Sequence, residues 1–160
     1  MKRVLIPFSI LLAALLLLAS CGTGSEITPQ AIDEEVDVCQ ACAMMVQDNQ
    51  FSAQIVANSG ESYKFDDIGC MAMYINNSQP DGQPFVRDFN TKEWVKVESA
   101  AFVLSEDVQT PMNYGFVSFA NNDDLDRFLT ESKGIEMNWI NVLENMNERS
   151  SDDEKQHTHY

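Results

Sequence analysis

The sequence predicts an α+β fold in which two small ββα halves pack together and a C-terminal helix follows. Short alternating apolar stretches bounded by Asn, Ser, Gly and Pro read as strands joined by turns. Two later stretches carry apolar residues at helical spacing: Met71, Tyr74 and Ile75, then Leu125, Phe128 and Leu129. Sliding one stretch onto the other by 54 residues also superposes Phe65 on Phe119. Strand, strand, helix over 51–75 is thus echoed over 101–129. At 160 residues, the chain can bury one compact domain or two small ones sharing a core.

Lys2 and Arg3 precede an unbroken apolar run from Ile10 to Ala19. A bilayer span needs about 20 apolar residues, so 1–20 reads as a signal peptide. Leu18-Ala19-Ser20-Cys21 followed by Gly22 resembles a lipobox. This marks Cys21 as the lipidated first residue of a mature lipoprotein, its palmitate-type chains anchoring it to a membrane surface. Gly-Thr-Gly-Ser and Asp33-Glu34-Glu35 make 21–35 a flexible tether. The folded domain is expected over 36–148, with halves at about 36–80 and 81–148.

Within it, Phe51 to Ala57 alternates as a strand, Asn58-Ser59-Gly60-Glu61 turns, and Ser62 to Phe65 returns as the second arm of a hairpin. Asp66 or Asp67 caps a helix from Ile68 to Asn76. Asn77 to Pro84 is loop. Phe85–Phe89 and Trp94–Leu104 are strands, the second broken near Glu98-Ser99, and Tyr114–Phe119 is another. A helix covers Asn122 to Ser132. The last helix, near Asn138 to Met146, puts Trp139, Val142, Leu143 and Met146 on one face. The acidic, His-containing end at 149–160 reads as a disordered tail.

The chain carries 10 Lys+Arg against 25 Asp+Glu, and loss of Lys2 and Arg3 with the leader takes the net charge from −15 to −17. Such a surface repels nucleic acid and anionic headgroups. With Cys21 acylated, the remaining thiols are Cys39, Cys42 and Cys70, too few for a disulfide framework. No nucleophile–base pair, phosphate-binding glycine loop or catalytic carboxylate pair stands out, so no enzyme activity is expected.

Cys39-Gln40-Ala41-Cys42-Ala43-Met44-Met45 places two thiols and two thioethers in seven residues. Thiolate and thioether select soft ions, above all Cu(I). The Cys-x-x-Cys spacing lets both sulfurs close on one ion, and equally suits a redox disulfide. A thiol–disulfide oxidoreductase using Cys39 and Cys42 is therefore the alternative. No second Cys or His pair is present to complete a zinc site, which favours copper. In an extended segment Met44 shares a face with Cys42, making a Cu(I) clamp, while Met45 beside Val46 goes to the core. Cys70 lies in the first turn after the Asp cap, at the edge of the buried arc, where the helix N-terminus favours a thiolate. It is a candidate third sulfur or a small core residue. Met112, after Thr110-Pro111, sits in a loop and is a further candidate ligand. His157 and His159 belong to the tail.

The ordered set of the lipobox at Cys21, Cys39-x-x-Cys42-x-Met44, Tyr63-Lys-Phe-Asp-Asp-Ile-Gly-Cys70-Met71, Val86-Arg-Asp-Phe, Trp94 and Thr110-Pro111-Met112 resembles the NosL family. These are copper-chaperone lipoproteins that accompany nitrous oxide reductase. The first half also resembles YHS/TRASH-type metal-binding modules. The NosL resemblance implies two ββαβ-like halves, a fold related to organomercurial lyases, and extracytoplasmic Cu(I) binding. It implies delivery of copper to the copper–sulfide centre of nitrous oxide reductase, with a membrane copper-transfer complex of ABC type as partner. By position, Cys42 and Met44 would be primary ligands and Met112 a candidate third; on the residues' own chemistry, Cys39, Cys70 or Met112 would complete or exchange the ion. Ala43 stands where the family motif often has Gly; a left-handed backbone at that position would strain it.

Overall fold

The computed structural model describes residues 26–157; the leader, Cys21 and His159 lie outside them. The chain runs β1 (Ala53–Val56), β2 (Ser62–Phe65), α1 (Ile68–Ser78), β3 (Gln83–Arg87) and β4 (Trp94–Lys96). A 3₁₀ turn at Val97–Ser99 leads to β5 (Ala101–Leu104), β6 (Phe116–Phe119), α2 (Asn122–Glu131), β7 (Ile135–Met137) and α3 (Trp139–His157). The strands form two antiparallel sheets ordered β2-β1-β3-β4 and β6-β5-β7.

The β1–β2 hairpin closes where Gly60 takes φ 90° and its N–H bonds Ala57 O. Ala53 pairs with Phe65 on one side and with Val86 on the other. In the second sheet Ala101 pairs with Phe119, and Phe102 with Met137. The second half is therefore ββαβ and the first is the same unit with β4 added at the sheet edge, and the internal repeat is physical. Asp67 caps α1 and Asn121, 54 residues on, caps α2. The Phe65–Tyr74 rings lie 5.3 Å apart at 53°, and the matching Phe119–Phe128 rings 5.4 Å apart at 50°.

Three boundaries differ from the sequence expectation. Because β3 and β4 pair into the first sheet, the halves divide near the 3₁₀ turn at 97–99 and not at 80–81. Part of the expected tether is docked: Gln30 exchanges hydrogen bonds with the buried Gln54 side chain, and Lys64 Nζ bonds Ala31 O. A glutamine with no solvent needs an amide partner, and the tether backbone supplies one. Helix α3 continues to His157 where a disordered tail was expected, because Asn, Glu, Lys and Gln are compatible with helix once the first turns are packed.

One cluster joins both halves: Phe65, Ile68, Met71 and Val86 from the first meet Phe102 and Phe116 from the second and Val142 and Met146 from α3. Val103, Val117, Phe119 and Leu125 form a smaller one under α2. Both faces of the second sheet are thus covered.

Asp88 ties the halves together by hydrogen bonding. Its buried carboxylate accepts from the Asn90 and Thr91 N–H groups, the Thr91 hydroxyl and, across to the second half, Ala120 N–H at 2.7 Å. Burial alone would raise its pKa, yet these donors outweigh it and hold the carboxyl below the ordinary range. Asp88→Ala strands several buried donors and is expected to cost about 2–4 kcal/mol, read by urea denaturation. A depressed folded pKa gives stability that is complete above the unfolded aspartate value near 3.9 and is lost as pH falls through the lower folded value. The gap between parent and variant should therefore close only in that acid range.

Candidate metal centre

The Cys39–Cys42 segment is the tip of a narrow ribbon stitched to the first sheet. Cys39 N–H bonds Met44 O at 2.8 Å, Val46 N–H bonds Asp37 O at 2.9 Å, and Val38 bridges Met45. Gln40 N–H bonds Lys64 O at 3.0 Å, which fixes the tip against β2. Ala43 N–H returns to Cys39 O at 3.0 Å, and this tight turn drives Ala43 to φ 60°. The left-handed backbone suspected at this position is real, and it costs an L-residue roughly 1 kcal/mol. Ala43→Gly should raise stability by about 0.5–1 kcal/mol in chemical denaturation if the relief exceeds the entropy that glycine adds to the unfolded chain.

The motif Asp66-Asp67-Ile68-Gly69-Cys70 delivers the other donors, each residue with its own task. Asp67 caps α1, accepting from Gly69 N–H at 2.8 Å. Its second oxygen accepts from the Thr110 hydroxyl at 2.5 Å and from Met112 N–H at 3.1 Å, so the Thr110–Met112 loop is clamped to the start of the helix. Ile68 enters the core. Gly69 leaves room for Tyr114: a Cβ there would lie 2.3 Å from the ring. Asp66, released from capping by its neighbour, turns to the ribbon, and both its oxygens lie 3.4 Å from Cys42 Sγ.

One ligand atom from each of Cys39, Cys42, Asp66 and Cys70 lies within 4.8 Å of every other. All three cysteines are free. Cys39 and Cys70 are buried and Cys42 is partly open, so Cys42 is the mouth of the cup. The Cys39 thiol is drawn down to about 6, first by the hydrogen bond from Cys70, with backbone N–H groups of Cys42, Asp66 and Ala41 helping against burial. Cys70 is pushed up, because its proton is held toward Cys39 and because it is buried. Cys42 is pushed up to about 11 by burial, then by the negative charge of Cys39 and Asp66. Of the three, Cys39 is the sulfur most favoured as thiolate, whereas Cys42 and Cys70 hold their protons more tightly than free thiols, and a metal must displace the protons it finds.

The predicted site residues are placed unequally. Cys39, Cys42 and Cys70 come together. Cys70, expected at the edge of the buried arc, is fully buried, because the whole first turn of α1 is covered; its counterpart Asp124, on the less enclosed α2, is not. Met44 is 45% exposed, and the left-handed Ala43 breaks the strand alternation that was to align it with Cys42. Met45 is 43% exposed, not core, since only Val46 of that pair turns inward. Met112 packs against the cluster that holds Cys39 and Cys70. Cys21 lies outside the described residues. Asp66 is the donor that the sequence reading passed over. Its signal was the doublet Asp66-Asp67, since a helix needs one capping carboxylate and a second is free for other work.

A family model described as NosL matches residues 29–147. No curated protein matches the chain. Among solved structures, the crystal structure of the copper chaperone NosL from Shewanella denitrificans is similar, with a TM-score of 0.63 at 16% identity over 71% of this chain and 93% of that chain. At that identity the likeness shows the fold.

Proposed function

Because the chain belongs to the NosL family, we propose that it is a Cu(I)-binding metallochaperone, with copper as cargo and no catalysis of its own. The observation that carries this reading is the cup of three thiols at the mouth of which Cys42 is partly open. Soft sulfur donors hold Cu(I), and a partly open sulfur allows handover by stepwise ligand replacement. The solved NosL of similar fold is itself described as a copper chaperone. Cys42 and Met44 are the outer ligands in this reading, with Cys39, Cys70 and Met112 completing or exchanging the ion. A thiol–disulfide exchange pair would need only two sulfurs; the third thiol in the same cup favours metal.

The proposal includes an extracytoplasmic setting, with lipidated Cys21 anchoring the domain to a bacterial membrane. It also includes delivery of copper for the copper–sulfide centre of nitrous oxide reductase through a membrane ABC-type complex. Copper K-edge absorption on the reduced, loaded full chain in detergent tests the site: a shell of two to three sulfurs supports it, and a shell of oxygen and nitrogen overturns it. Mixing the loaded chain with copper-free nitrous oxide reductase and its transporter tests the destination; a loaded chain that retains its copper there, while yielding it to small chelators, rules that acceptor out.

A further inference from the structure

Strand β2 buries a lysine. Its Tyr63 and Phe65 belong to the main cluster, so strand alternation turns Lys64 to the opposite face of the sheet. That face is covered too: the segment from Gln30 to Asp37 lies across it, and Lys64 is only 8% exposed. Gln54, the cross-strand partner of Lys64, holds both the N–H and the C=O of Gln30 through its side-chain amide. Lys64 holds the same segment further along.

An ammonium taken out of water is retained only where it is paired. Lys64 Nζ donates to Ala31 O and forms an ion pair of 2.8 Å with Asp37. Its own carbonyl accepts from Gln40 N–H at 3.0 Å. One residue thus grips the chain at Asp37 and again at Gln40, and Cys39 lies between the two grips. Strand β2 then leads directly to Asp66, whose oxygens both touch Cys42, and to the helix that carries Cys70. The ribbon sulfurs and the helix sulfur come from stretches far apart in the chain, so no short covalent path sets their separation. Lys64 is a direct link between those stretches at the cup.

We propose that Lys64 is a positioning residue for the soft-ion site: by bracketing Cys39 it sets the ribbon sulfurs at the distance from Cys70 at which one ion is shared. The ion rests on the copper reading above; the fixing of the ribbon does not. A buried ion pair adds little net stability over a well-packed apolar replacement, so the contribution of Lys64 is one of place. Its side chain touches no ion and acts through Cys39.

The test uses the reduced, metal-free full chain in detergent, titrated with Cu(I) against a chelator, and compares the parent with Lys64→Leu, Lys64→Arg and Asp88→Ala. Leucine keeps an apolar stem and the carbonyl that Gln40 meets but removes the ammonium; arginine keeps a cation for Asp37 and Ala31 O. Asp88→Ala loosens the join between the halves through bonds that involve neither the ribbon nor α1. Lys64→Leu should weaken Cu(I) at least about tenfold, the scale of losing an outer-shell partner, with Lys64→Arg between it and the parent. Asp88→Ala should lose stability and keep parental affinity, which separates position from stability. Hydrogen exchange at Gln40 in the metal-free chain should rise in Lys64→Leu. Parental Cu(I) affinity in Lys64→Leu, or an equal loss in Asp88→Ala, overturns the positioning role and leaves the copper reading standing. A parent that binds no Cu(I) overturns the copper reading; exchange at Gln40 then decides alone whether Lys64 holds the ribbon, and a parental rate overturns it. If Lys64→Leu fails to fold, Asp37→Ala, at a partly exposed position, decides: the same loss of Cu(I) affinity supports the role, and parental affinity overturns it.

Discussion

Full-length protein carrying Cys42→Ser together with Met44→Leu is expected to bind Cu(I) at least about a hundredfold more weakly than the parent, beyond the 10–100-fold that loss of an outer-shell partner costs. Serine replaces a thiolate by a hydroxyl that stays protonated and is too hard for Cu(I), while keeping the volume at a position that is only partly buried. Leucine removes a half-exposed thioether and keeps its apolar bulk. Neither change opens a core cavity, so the thermal midpoint should stay within a few degrees of the parent. Competition with a Cu(I) chelator of known affinity reads the effect. Unchanged binding would place copper elsewhere and sink the proposed mouth of the site. The same geometry orders the rates: Cys42 leaves or meets the ion first, while fully buried Cys70 cannot contact an incoming ligand until the outer sulfur has let go. Cys70→Ser should therefore lower affinity through faster release to chelator, with the initial capture rate close to that of the parent.

Much of the fold was legible because helical stripes and strand alternation are local. The superposition of Met71 on Leu125 and Tyr74 on Phe128 predicted paired helices whose aromatic contacts and caps match. Strand β7 was not read from the residues, since three residues between Gly134 and Asn138 are too short for a period to register. The division between halves was misplaced because the loop before β3 is rich in Pro and Gly, and such a loop marks a turn as well as a boundary. The cysteine pair was legible as chemistry, but the completing groups depended on tertiary placement. Cys70 looked peripheral at the edge of the buried arc, yet α1 is enclosed where α2 is not. Asp66 became a candidate donor only once Asp67 was seen to hold the cap. Met44 was paired with Cys42 by assuming an extended segment, and one left-handed residue removed that premise.

Asp67 should be the most sensitive position outside the donor set. It is fully buried, and its carboxylate joins the start of α1, which carries Cys70, to the loop that carries Met112. Burial raises its carboxyl above the ordinary range, while the hydrogen bonds from Thr110, Gly69 and Met112 pull the other way. Asp67→Ala strands the Gly69 and Met112 N–H groups and the Thr110 hydroxyl in a buried site, at about 1–3 kcal/mol for each donor left without a partner. Allowing for partial relaxation, a loss of about 3 kcal/mol is expected, near 10 °C in the thermal midpoint for a domain of this size. Asp67→Asn divides the two tasks. Its amide oxygen still caps Gly69, but its amide nitrogen cannot accept from Met112 N–H, so the helix start survives and the loop is released. Hydrogen exchange at Met112 and Tyr114 should then rise while exchange in the first turn of α1 stays slow. Cu(I) affinity should fall in Asp67→Asn if Met112 reaches the ion, and a Thr110→Val variant, which removes the other half of the clamp, should move it in the same direction. Parental Cu(I) affinity in both variants, with the loop demonstrably loosened, would remove Met112 from the copper shell and leave the sulfurs of Cys39, Cys42, Cys70 and Met44 as its members.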